Sequence, residues 1–444
     1  MDSALQTRLP SLPQCPRFDA TLEQDAKTAQ SYFAEVARTI QRAGPDGAAL
    51  RQSVRDAKEA FFRRHAVAMY DAITENCALP LRVSEVVYDA AERFPTLLPT
   101  RKQIEAERAL KKQIAKEGLE IDQGVFIAHV LADGRCGMHL VHAMLRPKRE
   151  AEELLPEFWR TGRVVIGDTA VERKGNVGTV THGNRAFLNA EDDGTMAAME
   201  TAVDLVLLDD RIQVGVLRGG LLQHPKYQGK RIFNAGINLT HLYYGQISFI
   251  EFIMERELGL LNKIYRGHSH PDRHSDQLED VIEKPWLAVV DSFAIGGGCQ
   301  LLGVMDRVIA EPDAYFNLPA SKEGFIPGSA NLRLPRLTGI LQARHGIFFE
   351  KKFYAGTPEG MLICDEVVEV ADMDAAIERN TTQMVAAGFT STISNRKALR
   401  VGQEPWDVYR RYMAVYSRQQ AFCFYDQALI SNLEHSWQPQ KRRM

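Results

Sequence analysis

The hydrophobic period of this chain changes near Gly162, and no single type of secondary structure satisfies both sides of the change. Upstream, apolar residues recur at helical spacing: Ala29, Phe33, Val36 and Ile40 form one stripe, and Leu50, Val54, Ala57 and Phe61 another. Thr21 and Gln24 stand at the capping-box spacing, Gly44-Pro45 ends the first helix, and the second runs towards Pro80. Shorter helices are predicted over 84–94, 100–116 and 122–131. Downstream, Val164-Val165-Ile166 and then Val177, Thr179 and Val180 read as a strand pair around Lys174-Gly175-Asn176. A helix over 192–210, a strand over 212–218, a helix over 240–261, the strand Leu287-Ala288-Val289-Val290 and a helix from Gly297 follow. Strands alternating with helices predict an α/β core with parallel strands. The expected organisation is a helical N-terminal domain over 1–160, the α/β core over 161–372 and a C-terminal helical region over 373–444.

Composition narrows the function. The 444 residues carry 54 basic against 57 acidic side chains, without the basic excess that nucleic-acid binding requires. Six scattered cysteines form no Cys-x-x-Cys pair, so neither a disulfide framework nor a zinc ribbon is expected, and a reducing cytoplasm fits. The first twenty residues lack the apolar core of a signal peptide, and no stretch reaches the ~18 apolar residues of a membrane span.

Two glycine turns carry the chemistry. Gly296-Gly297-Gly298-Cys299-Gln300 joins a strand to a helix, where free N–H groups and the helix dipole favour an anion, although a tight packing turn fits the triplet equally well. A second turn lies in Arg231-Ile232-Phe233-Asn234-Ala235-Gly236-Ile237. Together with Asn184-Arg185-Ala186-Phe187-Leu188-Asn189-Ala190 and the run from Pro327-Gly328-Ser329 to Leu337-Thr338-Gly339, these motifs resemble, in order, those of the crotonase (enoyl-CoA hydratase/isomerase) superfamily. The resemblance implies a ClpP-like spiral ββα core and a coenzyme A thioester as ligand. It implies that the backbone N–H groups of Ile237 and Gly297 form an oxyanion hole. It also assigns coenzyme A contacts to Arg185, to His224, Pro225, Lys226 and Tyr227, and to Arg231, Ile232, Phe233, Asn234, Ala235 and Gly236. Taken singly, Lys226, Lys230 and Arg231 fit an exposed basic loop as well, and Lys441, Arg442 and Arg443 fit a free tail or a contact with a neighbour's phosphates.

The departures from the family are informative. Hydratases carry glutamates at the positions held here by Gln300 and Ala320, and neither residue does carboxylate chemistry, so hydration by the usual pair is excluded. This loss, the helical extension and His224-Pro225-Lys226-Tyr227-Gln228-Gly229-Lys230-Arg231 resemble one branch of the superfamily, its cofactor-independent oxygenases. What that implies is O2-dependent cleavage of (3,5-dihydroxyphenyl)acetyl-CoA to 3,5-dihydroxyphenylglyoxylate and coenzyme A, in glycopeptide-antibiotic precursor supply, with no metal or flavin. It implies a homotrimer or dimer of trimers, with C-terminal helices between subunits. The alternatives are a crotonase-like thioesterase or decarboxylase, or an inactive acyl-CoA-binding scaffold.

Arg256 stands apart from the family argument. On a helix over 240–261 its neighbours would be Phe252, Ile253, Gly259 and Leu260, and an arginine on so apolar a face needs a partner. A structural ion pair with a nearby glutamate is one reading; binding of ring hydroxyls with Glu191 and Gln300 is the one the resemblance implies. Glu191 by itself reads as a carboxylate at a helix N-terminus. His268, His270, Asp272 and His274 sit in a polar loop without regular ligand spacing, so no metal site is expected. Cys299 fits small-residue packing better than nucleophilic catalysis. The base that takes the α-proton stays open among His224, Glu191 and water.

Overall fold

The computed structural model describes residues 12–43, 50–270 and 278–438. Helices Leu22–Ala43, Arg51–Thr74, Val83–Arg93, Arg101–Arg108, Glu120–Ala132, Gly134–Met144 and Arg149–Thr161 precede the first strand. The helix expected over 100–116 starts at its Thr100–Gln103 capping box but stops at Arg108. There the buried Glu107 carboxylate accepts the amides of Glu117, Gly118 and Leu119 at 2.6, 2.9 and 3.1 Å and pins the chain in a reversal.

The strand pair after Gly162 is three strands. Arg163–Ile166 pairs antiparallel with Thr169–Lys174, which pairs antiparallel with Val177–His182. The turn at 174–176 therefore joins the second and third strands, and 164–166 does not face 177–180. The middle strand was overlooked because Thr169-Ala170-Val171-Glu172-Arg173-Lys174 buries only Thr169 and Val171 and ends in charge. From Val177–His182 the sheet continues in parallel through Val214–Gly219, Trp286–Val290, Arg307–Ala310 and Glu366–Val367. Every residue of Trp286–Val290 is buried, as a parallel strand covered on both faces requires. A smaller sheet sets Phe293–Ile295 parallel to Tyr315–Asn317, which pairs with Phe353–Tyr354.

The segment expected as one helix over 240–261 is broken. Leu239–Tyr243 is a single short helix, Gly245 turns at φ +70°, and Phe249–Met254 and Arg256–Leu261 are π-helical before Asn262–Arg266 returns to α. The restart is anchored by the buried Glu120 carboxylate, which accepts from Ser248 Oγ and from the amides of Phe249 and Ile250 at 3.0 to 3.1 Å.

One apolar core runs from Phe33 and Phe126 through Met199, Phe249 and Trp286 to Tyr409 and Phe424. The C-terminal helix Trp406–Phe424 lies on Glu120–Ala132 closely enough that a Cβ at Gly124 would come within 2.7 Å of Ala421 and 2.8 Å of Phe249. Among the described residues no helix is long and apolar enough to cross a membrane.

Buried charge ties the helices to the sheet layer. Lys263 Nζ lies 2.8 Å from Glu200 Oε1 and from Asp204 Oδ2, and Arg82 reaches Glu200 and Glu255, each at 3.0 Å. Burial alone would raise both acids, but Arg82 and Lys263 hold Glu200, and Lys263 and His268 hold Asp204, below the usual carboxylate range. Lys263→Met leaves these carboxylates short of a cation, and we expect a loss of about 3–5 kcal/mol of unfolding free energy, read from urea denaturation at neutral pH.

Candidate active site

The site forms where three segments meet. Glu191 and Ile237 form a parallel bridge, with Glu191 N donating to Gly236 O and Asn238 N to Glu191 O, both at 2.7 Å. The strand-like segment at Asn234 bridges Ala294, which sets the first glycine turn beside the second. Gly236 adopts φ +80°, and a Cβ there would lie 2.8 Å from Ile295 O and 3.1 Å from Gly297 N, so only glycine permits this approach. Among the described residues neither Ile237 N nor Gly297 N donates to another backbone group. Two adjacent main-chain donors at one cavity are what an oxyanion requires.

Behind them lies a buried ion cluster. Arg256 donates through Nε and Nη2 to the two oxygens of Glu191 at 2.5 and 3.1 Å, through Nη1 to Glu257 Oε1 at 2.9 Å and to Gln300 Oε1 at 2.8 Å, and through Nη2 to Gly297 O at 2.8 Å. Asn234 Nδ2 adds a bond to Glu191 Oε1 at 2.8 Å, and Ser329 N donates to Glu257 Oε2 at 2.9 Å. Burial would lower the pKa of Arg256, yet Glu191 and Glu257 outweigh it and hold the guanidinium charged. The structure thus brings Arg256, Glu191 and Gln300 together, and it adds Glu257. Two of the apolar neighbours expected for Arg256, Phe252 and Ile253, line the same small cavity, and the polar partners come from the adjacent Glu257 and from other segments of the chain. Glu191 does not cap the following helix: Asp192 does, by accepting from Thr195 N.

Two cavities share this site. A small one of about 50 Å³ is lined by Ile237, Arg256, Gly297, Gln300, Ala320 and Glu323, so both positions at which hydratases carry glutamates face it. A larger groove of about 610 Å³ is lined by Phe187, Leu188, His224, Ala235, Ile237 and Trp437, and by Glu323. Ile237 and Glu323 belong to both. Burial, reinforced by the like charge of Glu350 and only partly offset by Lys322, pushes the Glu323 carboxyl up to about 8.

Of the remaining expected contacts among the described residues, His224 and Ala235 line the groove and the others do not. His224 caps the turn Pro225–Tyr227, its Nδ1 accepting from Lys226 N at 3.2 Å. The Pro225 side chain lies outside the described residues. Lys226 is exposed and sits 5.1 Å from the Tyr227 ring; Arg185 is exposed beside Asp168 at 3.5 Å. Arg231 donates to Gly219 O at 3.0 Å. Ile232, Phe233 and Asn234 are buried, so their side chains do not reach the groove surface.

Other candidates resolve as structural. Burial drives the Cys299 thiol up to about 12 despite a hydrogen bond to the Asn317 backbone, which keeps it protonated and inert. His268 is held by Asp204 at 2.8 Å; residues 271–277, with Asp272 and His274, lie outside the described residues, as do Lys441, Arg442 and Arg443. Among the described residues Asp71, Cys77 and Cys136 come close enough to hold a metal, but Arg135 donates to Asp71 at 2.6 Å and to Cys77 at 3.0 Å and takes the place of a cation.

Residues 172–412 match the family model described as enoyl-CoA hydratase/isomerase. The chain is 45% identical over 380 residues, 86% of each chain, to the (3,5-dihydroxyphenyl)acetyl-CoA 1,2-dioxygenase of Amycolatopsis orientalis. It is 25% identical over 241 residues, 54% of this chain and 83% of the other, to a short-chain-enoyl-CoA hydratase of Clostridium acetobutylicum. The crystal structure of an enoyl-CoA hydratase from Bacillus halodurans superposes with a TM-score of 0.50 at 18% identity, covering 61% of this chain and all of that one, and shares the fold.

A Cβ at Gly297 would lie 2.6 Å from Glu191 Oε2 and 2.9 Å from Arg256 Nη2. Gly297→Ala is therefore expected to lower the unfolding free energy by about 1–3 kcal/mol, whereas Gly194→Ala, whose nearest neighbour would be 3.9 Å away, lowers it not at all; parallel thermal melts check this.

Proposed function

Since this chain belongs to the enoyl-CoA hydratase/isomerase family, we propose that it cleaves (3,5-dihydroxyphenyl)acetyl-CoA with O2, giving 3,5-dihydroxyphenylglyoxylate and free coenzyme A. The observation that carries this reading is an intact pair of glycine turns over a cavity from which both hydratase glutamates are missing, Gln300 and Ala320 standing in their places. The name of the Amycolatopsis relative supplies the substrate class.

The thioester carbonyl accepts from Ile237 N and Gly297 N, and coenzyme A lies along the groove past His224, Ala235 and Phe187, with Arg185, Lys226 and Arg231 available to its phosphates. The aryl ring is directed at the small cavity, which widens to admit it, so that the carboxylates of Glu191 and Glu257 accept from its hydroxyls and Arg256 and Gln300 fix their position. An α-proton between an aryl ring and a thioester is acidic, and loss of it places charge on the oxygen that the two amides face. Each such donor contributes about 10²- to 10³-fold in rate.

The electron-rich enolate reduces O2 directly, so the reading includes no metal and no flavin. One oxygen bonds to the α-carbon; the other attacks the carbonyl carbon and expels the coenzyme A thiolate. The O–O bond breaks as the second α-proton leaves, so one oxygen becomes the ketone and the other joins the carboxylate. Phe252, Ile253 and Tyr416 give the cavity an apolar wall, against which a bound ring would displace water.

We expect ¹⁸O2 to deliver both of its atoms to the glyoxylate by mass spectrometry, with chelator-treated protein fully active. Label entering from water alone, with coenzyme A released anaerobically, would identify a thioesterase instead.

The reading includes a homotrimer or dimer of trimers in the cytoplasm. It is supported by exposed apolar side chains along Ala330–Phe349, namely Leu337, Ile340, Leu341, Phe348 and Phe349. Ile340→Asp with Phe349→Asp is expected to reduce the mass measured by light scattering to that of one chain.

A further inference from the structure

Glu323 has no part in the scheme above, and neither the sequence motifs nor the family positions single it out. It nevertheless stands at the one place where chemistry is unassigned, the removal of the α-proton. The short helix Ala320–Glu323 follows Pro319, and on it Glu323 lies three residues beyond Ala320, on the same face. Ala320 lines the small cavity at the position where a hydratase has its second glutamate, and Glu323 lines that cavity too. It also lines the thioester groove, together with Ile237, whose amide is one of the two oxyanion donors.

We propose that Glu323 is the general base that takes the α-proton, the carboxylate lost at position 320 being supplied one helical turn later. The assignment rests on the thioester reading above. In this step the Cα–H bond breaks, its electron pair moves into the enolate held by Ile237 N and Gly297 N, and the proton goes to a Glu323 oxygen.

The surroundings of the two other acids on this cavity explain why they do not compete. Glu191 and Glu257 are each bound to Arg256, and Asn234 and Ser329 occupy further oxygen lone pairs. A carboxylate so paired is a weak base. Glu323, by contrast, accepts no hydrogen bond from any described residue, so its carboxyl is free to face the ligand. His224 lies on the groove with Nδ1 engaged by Lys226 N and does not line the small cavity.

The charges around Glu323 favour a proton acceptor matched to neutral pH. Lys322 and Glu350 pair with each other at 3.3 Å beside it, Arg256 is neutralised by its two glutamates, and Arg333 of the neighbouring helix is held by Glu404. The helix Gln427–Ser436 presents Leu429 and Asn432 to Gly324, and its Glu434 accepts from Tyr243. Across the cavity, the buried Tyr416 stays protonated because its pKa lies well above that of an ordinary phenol. An acid raised to about 8 in such a site is a stronger base, once ionised, than an ordinary carboxylate.

The test is α-hydrogen exchange. Full-length protein is incubated anaerobically in D2O with (3,5-dihydroxyphenyl)acetyl-CoA, and deuterium at the α-carbon is followed by NMR. Glu323→Gln is expected to slow exchange by about 10²- to 10⁴-fold and to flatten its rise with pH, while Glu323→Asp recovers part of the rate and keeps a pH-dependent rise. Exchange by Glu323→Gln at the native rate and with the native pH profile overturns the assignment. Should Glu323→Gln fail to fold by circular dichroism, Glu323→Asp decides, and an unchanged rate and profile midpoint overturn it. Because exchange is read without O2, native protein that exchanges the proton anaerobically but consumes no O2 in a parallel aerobic incubation defeats the oxygenase reading while leaving Glu323 as the base.

Discussion

The guanidinium of Arg256 is the interaction on which the site depends. It joins the segment before a helix at Glu191, the π-helical turn at Glu257 and the glycine turn at Gly297 and Gln300, three stretches of chain that share no strand. Without it the two buried carboxylates of Glu191 and Glu257 would lose their counter-charge and keep only neutral donors such as Asn234 and Ser329, a cost on the order of several kcal/mol. Collected around one cation, these groups fix the relative positions of the two glycine turns that line the cavity. The paired donors are therefore held by side-chain electrostatics as much as by the sheets beneath them.

This dependence explains how much of the molecule could be read from the residues. The helices of the first 160 residues and the parallel strands announced themselves because their periods are unbroken, as in Phe33, Val36 and Ile40 or Leu287 to Val290. The short strand Thr169–Lys174 did not, since only two of its residues are buried. The glycine turns were legible because their neighbours spell an ordered set of motifs, and the family match bears out that resemblance. Arg256 could be flagged from its apolar helical neighbours as an arginine in need of a partner, and the resemblance named Glu191 and Gln300, which do stand beside it together with a nearby glutamate, Glu257; the period alone could not choose among them. Glu257 and Glu323 were missed for the same reason, each being a common residue whose meaning lies only in what surrounds it.

The outer helices also contribute to the chemistry. Glu120 of an N-terminal helix sets the start of the π segment by accepting the amides of Phe249 and Ile250, and the helix Trp406–Phe424 closes the cavity with Tyr416 and Gln420. The helical extension and the C-terminal helices are thus in direct contact with the small cavity or one step from it.

The π turns carry a consequence for how such a site could arise or be lost. A helix that closes its hydrogen bonds five residues back holds about one residue more per turn than its α counterpart. Excising a single residue from a π turn is therefore absorbed by a return to ordinary winding, with the residues beyond it keeping their facing, whereas excising one from an α-helical stretch turns everything beyond it by about 100° around the axis. The stretch before Arg256 thus holds a reserve of one residue, a change of length that an α-helix would pass on to the guanidinium, and related chains can differ there by a residue without dispersing the ion cluster.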